Sequence, residues 1–366
     1  MYKVKIFGAG SIGNHLAHAS RNKGWGVTLT DIDRAALDRT RDSIYPTRYG
    51  KWDEAIVLKD SHDALGDPAD IVVIGTPPDT HIRIALDVME RSLPKVLLIE
   101  KPLCGPDLKG AQQLYDTAKR RGIFVGVGYN HCLALSTRAV DDALAGGTLG
   151  PIQSISARTR EHWGGIFKAH PWLAGPQDTY LGFASRGGGA VGEHSHAINI
   201  WQHFAHTIGA GKVSEVSATL EMVSEGGAHY DSLGFLTLRT TEGLLGDVVQ
   251  DVVTAPTDKS ARIQGRDGYV EWHVNYAPNA DAYKVGAAGK AVEPTLVPKT
   301  RPDDFRVEVE HVDDILSGKV KGDASPISLE RGLDTMMVIA AAFKSNELGR
   351  RVRIDASGGY TPEAIR

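Results

Sequence analysis

The chain is poor in cysteine: its 366 residues carry two, Cys104 and Cys132. So sparse a pair excludes a disulfide-stapled secreted fold and fits a reducing compartment. No CxxC pair and no HExxH occurs, so zinc-site spacing is missing too. Long hydrophobic runs are also lacking. The longest, such as Ile71–Ile74 and Val96–Ile99, have strand length, whereas a membrane-crossing helix needs about 20 apolar residues. The strand signal begins at Val4, which leaves no room for a secretory leader and makes a cytoplasmic location the expectation. There is no basic run: 41 Lys and Arg stand against 45 Asp and Glu, a net charge of -4, which argues against nucleic acid or an anionic membrane as partner. Internal repeats are absent. What remains is an ordinary globular composition, 42% hydrophobic and 23% charged, in a chain long enough for about two domains.

The first third alternates strand and helix. Strands are expected at Val4–Phe7, Val27–Thr30, Ala69–Ile74, Lys95–Ile99 and Ile123–Val127, with helices after Ile12 and at Thr80–Met89 and Leu108–Lys119. Continuous apolar strands in such alternation imply a Rossmann-type, doubly wound parallel sheet covered by helices on both faces. Ligands of such sheets gather beyond the carboxyl ends of the strands. From about Leu133 the grammar changes. A helix near Ser136–Leu144 is followed by alternating stretches at Ile152–Arg158, Val216–Met222, Gly234–Arg239 and Ala261–Ile263, which imply an α+β domain with a large, mostly antiparallel open sheet. Helices at Phe305–Leu316 and Ser328–Ser345 and a strand at Arg351–Ile354 are expected to close the chain. Residues 281–300 lack periodicity and read as a mobile loop. The expected division is 1–128 for a dinucleotide-binding domain and 129–366 for substrate binding and oligomerisation.

The most informative residues are Gly8-Ala9-Gly10-Ser11-Ile12-Gly13, where a strand hands over to a helix. Gly8 permits the tight turn, Gly10 a close approach of backbone to a pyrophosphate, and Gly13 close packing of helix on sheet, with phosphates at the helix N-terminus near Ser11 and Ile12. Asp31, with Ile32 beside it, ends the second strand about 20 residues on, where a carboxylate accepts hydrogen bonds from an adenosine ribose. Its charge would repel a 2′-phosphate, so NAD is expected in preference to NADP, although Arg34 stands close enough to pair with Asp31, Asp38 or that phosphate.

Further motifs follow the strands in order: Thr76-Pro77-Pro78 with His81, Glu100-Lys101-Pro102, Gly128-Tyr129-Asn130-His131, and Gly187-Gly188-Gly189 followed by Glu193 and His196. With the glycine fingerprint, and with Gly265–Trp272 as a glycine-punctuated strand pair, they span nearly the whole chain. In that order they resemble the glucose–fructose oxidoreductase and inositol dehydrogenase superfamily, Gfo/Idh/MocA. The resemblance implies an NAD-dependent oxidoreductase that passes hydride between nicotinamide and a hydroxyl-bearing carbon of a sugar, a sugar derivative such as a sugar acid or sugar nucleotide, or an inositol. It also implies that Thr76, Pro77, Pro78, His81, Glu100 and Lys101 shape the cofactor floor.

Such a reaction needs a donor or cation for the oxygen and a base for the hydroxyl proton. Lys101, one residue past a buried strand end, suits the first role; an imidazole, titrating near neutrality, suits the second. His196 is the residue expected there, with His194 its competitor. Family members commonly carry Asp four residues before this His and another three after it. Here Gly192 and Asn199 occupy those positions, and Glu193 takes the Asp's work only if a one-residue shift is absorbed before the helix. Cys132 stands where relatives often have arginine. Asn130, Trp163, Trp172, Tyr180, Arg186, Glu193, His196 and Lys101 are expected to line the substrate pocket, aromatic faces covering sugar C–H surface while polar groups take hydroxyls. Arg160, Lys168 and Arg186 also suit a carboxylate or diphosphate. Glu193, His194, His196, His162 and His170 would supply metal ligands near Cys132, but hydride transfer to nicotinamide needs no metal and none is expected. Two other readings share these motifs: a glycoside-cleaving enzyme using NAD as a resident redox relay, and a non-catalytic dinucleotide-sensing regulator. A homodimer or homotetramer is expected, because an open sheet would otherwise expose apolar strands.

Overall fold

The computed structural model describes residues 1–169 and 172–366; His170 lies outside the described residues. Two compact units result. The first comprises Met1–Leu103, Gly110–Asn130 and Arg301–Glu330, the second Cys104–Lys109, His131–Thr300 and Arg331–Arg366.

The first unit is built on six strands, β1 (Lys3–Phe7), β2 (Gly26–Asp31), β3 (Ile56–Asp60), β4 (Ile71–Ile74), β5 (Val96–Ile99) and β6 (Phe124–Val127). They are all parallel in the order β3-β2-β1-β4-β5-β6, with the reversal of order at β1 and β4 that marks the ligand crevice of doubly wound sheets. Every residue of β4 and β5 is buried, as apolar strands covered on both faces must be. Helix α1 (Ser11–Asn22) buries Gly13, Leu16, Ala17 and Ser20, one face at three- and four-residue spacing. The expectation omitted β3, whose outward residues are polar or exposed.

The expected division at residue 128 placed residues 301–330 with the second domain, whereas the chain returns there to the first unit. The helix Arg301–Leu316 packs on α1, with the Phe305 ring stacked on His15 at 4.4 Å between centroids, and Ile327 O accepts the Val127 N–H at 2.8 Å.

The second unit holds nine strands: β7 (Ile152–Arg160), β8 (Val213–Glu225), β9 (Ala228–Thr240), β10 (Leu245–Asp251), β11 (Asp258–Gly265), β12 (Gly268–Ala277), β13 (Ala280–Ala287), β14 (Thr295–Pro298) and β15 (Val352–Arg353). Their order is β14-β13-β12-β11-β7-β10-β9-β8-β15, antiparallel except for β7 beside β10. Along β9, Leu236, Leu238 and Thr240 are buried while Phe235, Thr237 and Arg239 face outward, the period-two pattern of a half-covered sheet. Residues 281–300, expected as a mobile loop, form most of β13 and all of β14. β14 is an edge strand with little buried, so its sequence carries no alternation to read. The helix Leu329–Leu348 follows, slightly longer than expected. No helix of the described residues is long and apolar enough to cross a membrane.

Candidate active site

In the first unit the strand-end motifs share the carboxyl edge of the parallel sheet. Gly8 has φ +104, and a Cβ there would lie 2.6 Å from Gly75 O, so the turns after β1 and β4 abut. A Cβ at Gly13 would fall 2.0 Å from Gly8 O, whereas one at Gly10 would meet nothing within 4 Å. The glycine turn is therefore closed toward the sheet and open outward, the shape a dinucleotide pyrophosphate requires at a helix N-terminus. Ser11 is the first residue of α1, and no acidic side chain occupies its first turn. Asp31 accepts the N–H groups of Ala9 at 2.8 Å and Asp33 at 2.9 Å, which fixes a carboxylate at the end of β2. Ile32 beside it is 72% exposed. Arg34 lies 3.5 Å from Asp38, so the ion pair is made within its own helix. These residues fit NAD.

His81 is fully buried, its ring between Thr76 O at 2.6 Å and Pro102 O at 3.1 Å. Burial pulls its pKa to about 4, so the ring is neutral at pH 7 and gives one N–H to this pair of carbonyls. His81 thus braces the turns after β4 and β5, and with them the backbone of Lys101. Glu100 is buried beside Gly128, where a Cβ would come within 2.9 Å of its carboxylate. Behind it lies Glu308, fully buried and without a hydrogen-bond partner for either oxygen; burial, then the neighbouring charges of Glu100 and Asp304, hold its pKa well above the usual carboxylate range. Nothing in the helical sequence context of Glu308 sets it apart. Lys101 is half-buried; Asn130 is buried just past β6.

In the second unit the helices Gly189–Glu193 and His196–Thr207 are separate, where a helix starting near His194 was expected. The break decides the orientation of two histidines. His194 is 4% exposed and its Nε2 faces Glu161 O at 3.2 Å. His196 is half-buried at the start of the following helix, its ring stacked on His131 at 4.1 Å between centroids; His131 in turn rests against Trp272. One and two turns along, Asn199 accepts the Cys132 thiol at 2.9 Å and His203 meets Asp141 at 2.9 Å. Glu193 accepts the Tyr180 hydroxyl at 3.0 Å.

The helix carrying Glu193 is held from the sheet. Asp231 of β9, wholly buried, accepts the Val191 N–H at 2.7 Å, and Gln250 of β10 donates to Ala190 O and Val191 O at 3.1 and 3.3 Å. Asp231 and Gln250 escaped the sequence reading because each sits in an ordinary strand pattern. The expected aromatic wall divides. Trp163 is 7% exposed and packs with Leu181, Ala190, Val252, Phe167 and Tyr230, so it belongs to the core. Trp172 is 45% exposed, and the Arg186 guanidinium lies over the Phe183 ring. Among the described residues no group of three or more His, Cys, Asp or Glu side chains is arranged to hold a metal ion.

Comparison with known proteins places these features. The oxidoreductase family Gfo/Idh/MocA, with its NAD-binding Rossmann fold, matches residues 2–129, and the family's C-terminal domain matches residues 137–271. The chain belongs to this family. It is 32% identical over 87 residues to the rhizopine catabolism protein MocA of Rhizobium meliloti, a match covering 24% of this chain and 26% of that protein. The chain thus spans about a quarter of that relative's length. Two solved structures share the fold across 96% of the chain: the WlbA dehydrogenase of Bordetella pertussis with NADH and UDP-GlcNAcA (97% of that chain, 18% identity, TM-score 0.73) and levoglucosan dehydrogenase with NADH and levoglucosan (98%, 18%, 0.76). The protein is an NAD-binding member of an oxidoreductase family, built from a Rossmann unit and a unit with a mostly antiparallel mixed sheet.

Proposed function

We propose that this protein is an NAD-dependent dehydrogenase or reductase acting on a hydroxyl-bearing carbon of a sugar, sugar derivative or inositol, the first unit binding the cofactor and the second supplying most of the substrate site. The bound nicotinamide supplies the hydride acceptor or donor. Lys101 offers its ammonium to the substrate oxygen and stabilises it as negative charge develops, while His196 exchanges the hydroxyl proton. Glu193, fixed by the Tyr180 hydroxyl, takes the orienting role that an Asp holds elsewhere in the family, and Asn130, Trp172 and Arg186 position the substrate. The observation that carries the choice of base is the contrast between the two histidines: His194 is buried against the Glu161 carbonyl, and His196 is half-buried at a helix start. The molecules bound in the solved relatives, UDP-GlcNAcA and levoglucosan, support a carbohydrate as substrate. A second copy of the chain is proposed to cover the exposed Phe235, Leu245 and Leu296, which share one face of the nine-stranded sheet.

A panel of polyols, sugars, sugar acids and sugar nucleotides, followed at the reduced-nicotinamide absorbance band, tests the reading. With a substrate in hand, Lys101→Ala and His196→Ala should each lower kcat by about 10² or more, with NADH affinity nearly unchanged and His194→Ala close to wild type. Full activity in Lys101→Ala removes the lysine from the mechanism; release of free sugar without any absorbance change indicates relay chemistry instead.

A further inference from the structure

The first unit carries a cation that none of the motifs marks. Arg48 lies in the short helix Tyr45–Tyr49, which ring packing pins to α1: His18 stacks on Tyr49 at 3.6 Å between centroids with planes 5° apart, and Tyr45 meets Trp52 and Tyr49 edge-on. From there Arg48 Nη1 donates to Ser11 O and Nη2 to Ser11 Oγ, both at 2.9 Å. The guanidinium is half-buried and has no carboxylate within ion-pair distance among the described residues. The other guanidinium that acts on it is Arg301, and burial, with that positive charge, lowers its pKa; the same two arginines help to hold the buried His15 imidazole neutral. Arg301 is paired with Asp304 at 3.1 Å, whereas Arg48 has no such acid, and a cation partly withdrawn from water is stabilised by a bound anion.

Ser11 shows where that anion would sit. Its Oγ accepts from Arg48, so its own hydrogen points elsewhere. It opens α1 next to Gly10, on the side where a Cβ meets nothing within 4 Å, and no carboxylate fills the first turn. We propose that Arg48 is a positioning residue for the pyrophosphate of the dinucleotide, holding the Ser11 hydroxyl as a donor to a phosphate oxygen and adding positive charge behind the helix N-terminus. This rests on NAD binding by the first unit and on none of the chemistry assigned to Lys101 and His196.

NADH binding to the purified full chain, read by nicotinamide fluorescence without substrate, tests it. Arg48→Gln should weaken NADH by about 10- to 100-fold, the range of a lost charge-assisted hydrogen bond. Arg48→Lys keeps the charge, loses the fork and should fall between. Ser11→Ala should cost about threefold or more in the wild-type background and nothing further in Arg48→Gln, since the two act as one unit. NADH affinity in folded Arg48→Gln within about twofold of wild type, or fully additive losses in the double variant, overturns the proposal. Should Arg48→Gln fail to fold, unchanged affinity in Ser11→Ala overturns it alone. A variant set that behaves as expected in an enzyme insensitive to Lys101→Ala would refute the proposed chemistry and leave this assignment standing.

Discussion

Asp231 offers a quantitative test of how the Glu193 helix is held. Its carboxyl is wholly buried; one oxygen accepts the Val191 N–H at 2.7 Å, and the other has no partner and sits where a Cβ at Gly189 would come within 2.0 Å. Burial raises its pKa from 3.8 to about 7, against the opposing effect of the N–H groups of Val191 and Ala190. In the unfolded chain the group ionises near 3.8, so between about pH 4 and pH 7 the folded state keeps a proton that the unfolded state has lost. Stability is therefore complete below pH 4, falls as pH rises through that window and levels above pH 7, where both states are ionised. At about 1.4 kcal/mol per pH unit the loss comes to about 4 kcal/mol, a large part of the 5–15 kcal/mol typical of a folded domain. Asp231→Asn keeps the acceptor for Val191 and cannot ionise. Thermal midpoints of both proteins at a series of pH values from 4.5 to about 8, read by calorimetry, should diverge through this window, with the variant the more stable at neutral and alkaline pH and amide exchange over residues 189–193 slowed in it. Parallel midpoint curves across the whole range would refute the argument, since they would mean that Asp231 titrates as an ordinary carboxylate.

Two further expectations concern the dinucleotide turn. Asp31→Ser, which removes the carboxylate fixed by Ala9 and Asp33, should raise the NADP-to-NAD preference by about tenfold or more, equivalent to about 1.4 kcal/mol; wild-type protein that turns over NADP faster than NAD would contradict the role given to this residue. Gly13→Ala places a methyl group 2.0 Å from the Gly8 carbonyl, backbone that is itself lodged against Gly75, and should cost about 1–3 kcal/mol or more in stability and sharply weaken NADH binding. An unchanged melting temperature would show that the turn yields more than its packing suggests.

The parallel sheet was legible in the sequence because each of its parts is local. Apolar runs at β1, β4, β5 and β6 and the glycines between β1 and α1 report burial and turn geometry within a dozen residues of themselves. The motifs after β4, β5 and β6 could be placed for the same reason, since the end of a strand fixes the residue that follows it.

Tertiary packing decided the rest. Arg48 and Ser11 are 37 residues apart, and Val191 and Asp231 are 40 apart; their meeting depends on which faces bury against one another, which periodicity along either segment does not encode. The same holds for Arg301–Glu330, which opens with the helix Arg301–Leu316 and joins the first unit because Phe305 finds the face of α1 and Ile327 pairs with Val127. The two histidines of Glu193-His194-Ser195-His196 are alike in residue type, and a break between two helices turns one into the core and leaves the other half-buried. Composition and local pattern fixed the class of the fold and the residues able to do chemistry; long-range packing determined their orientation and burial, because those depend on neighbours brought together only when the chain closes on itself.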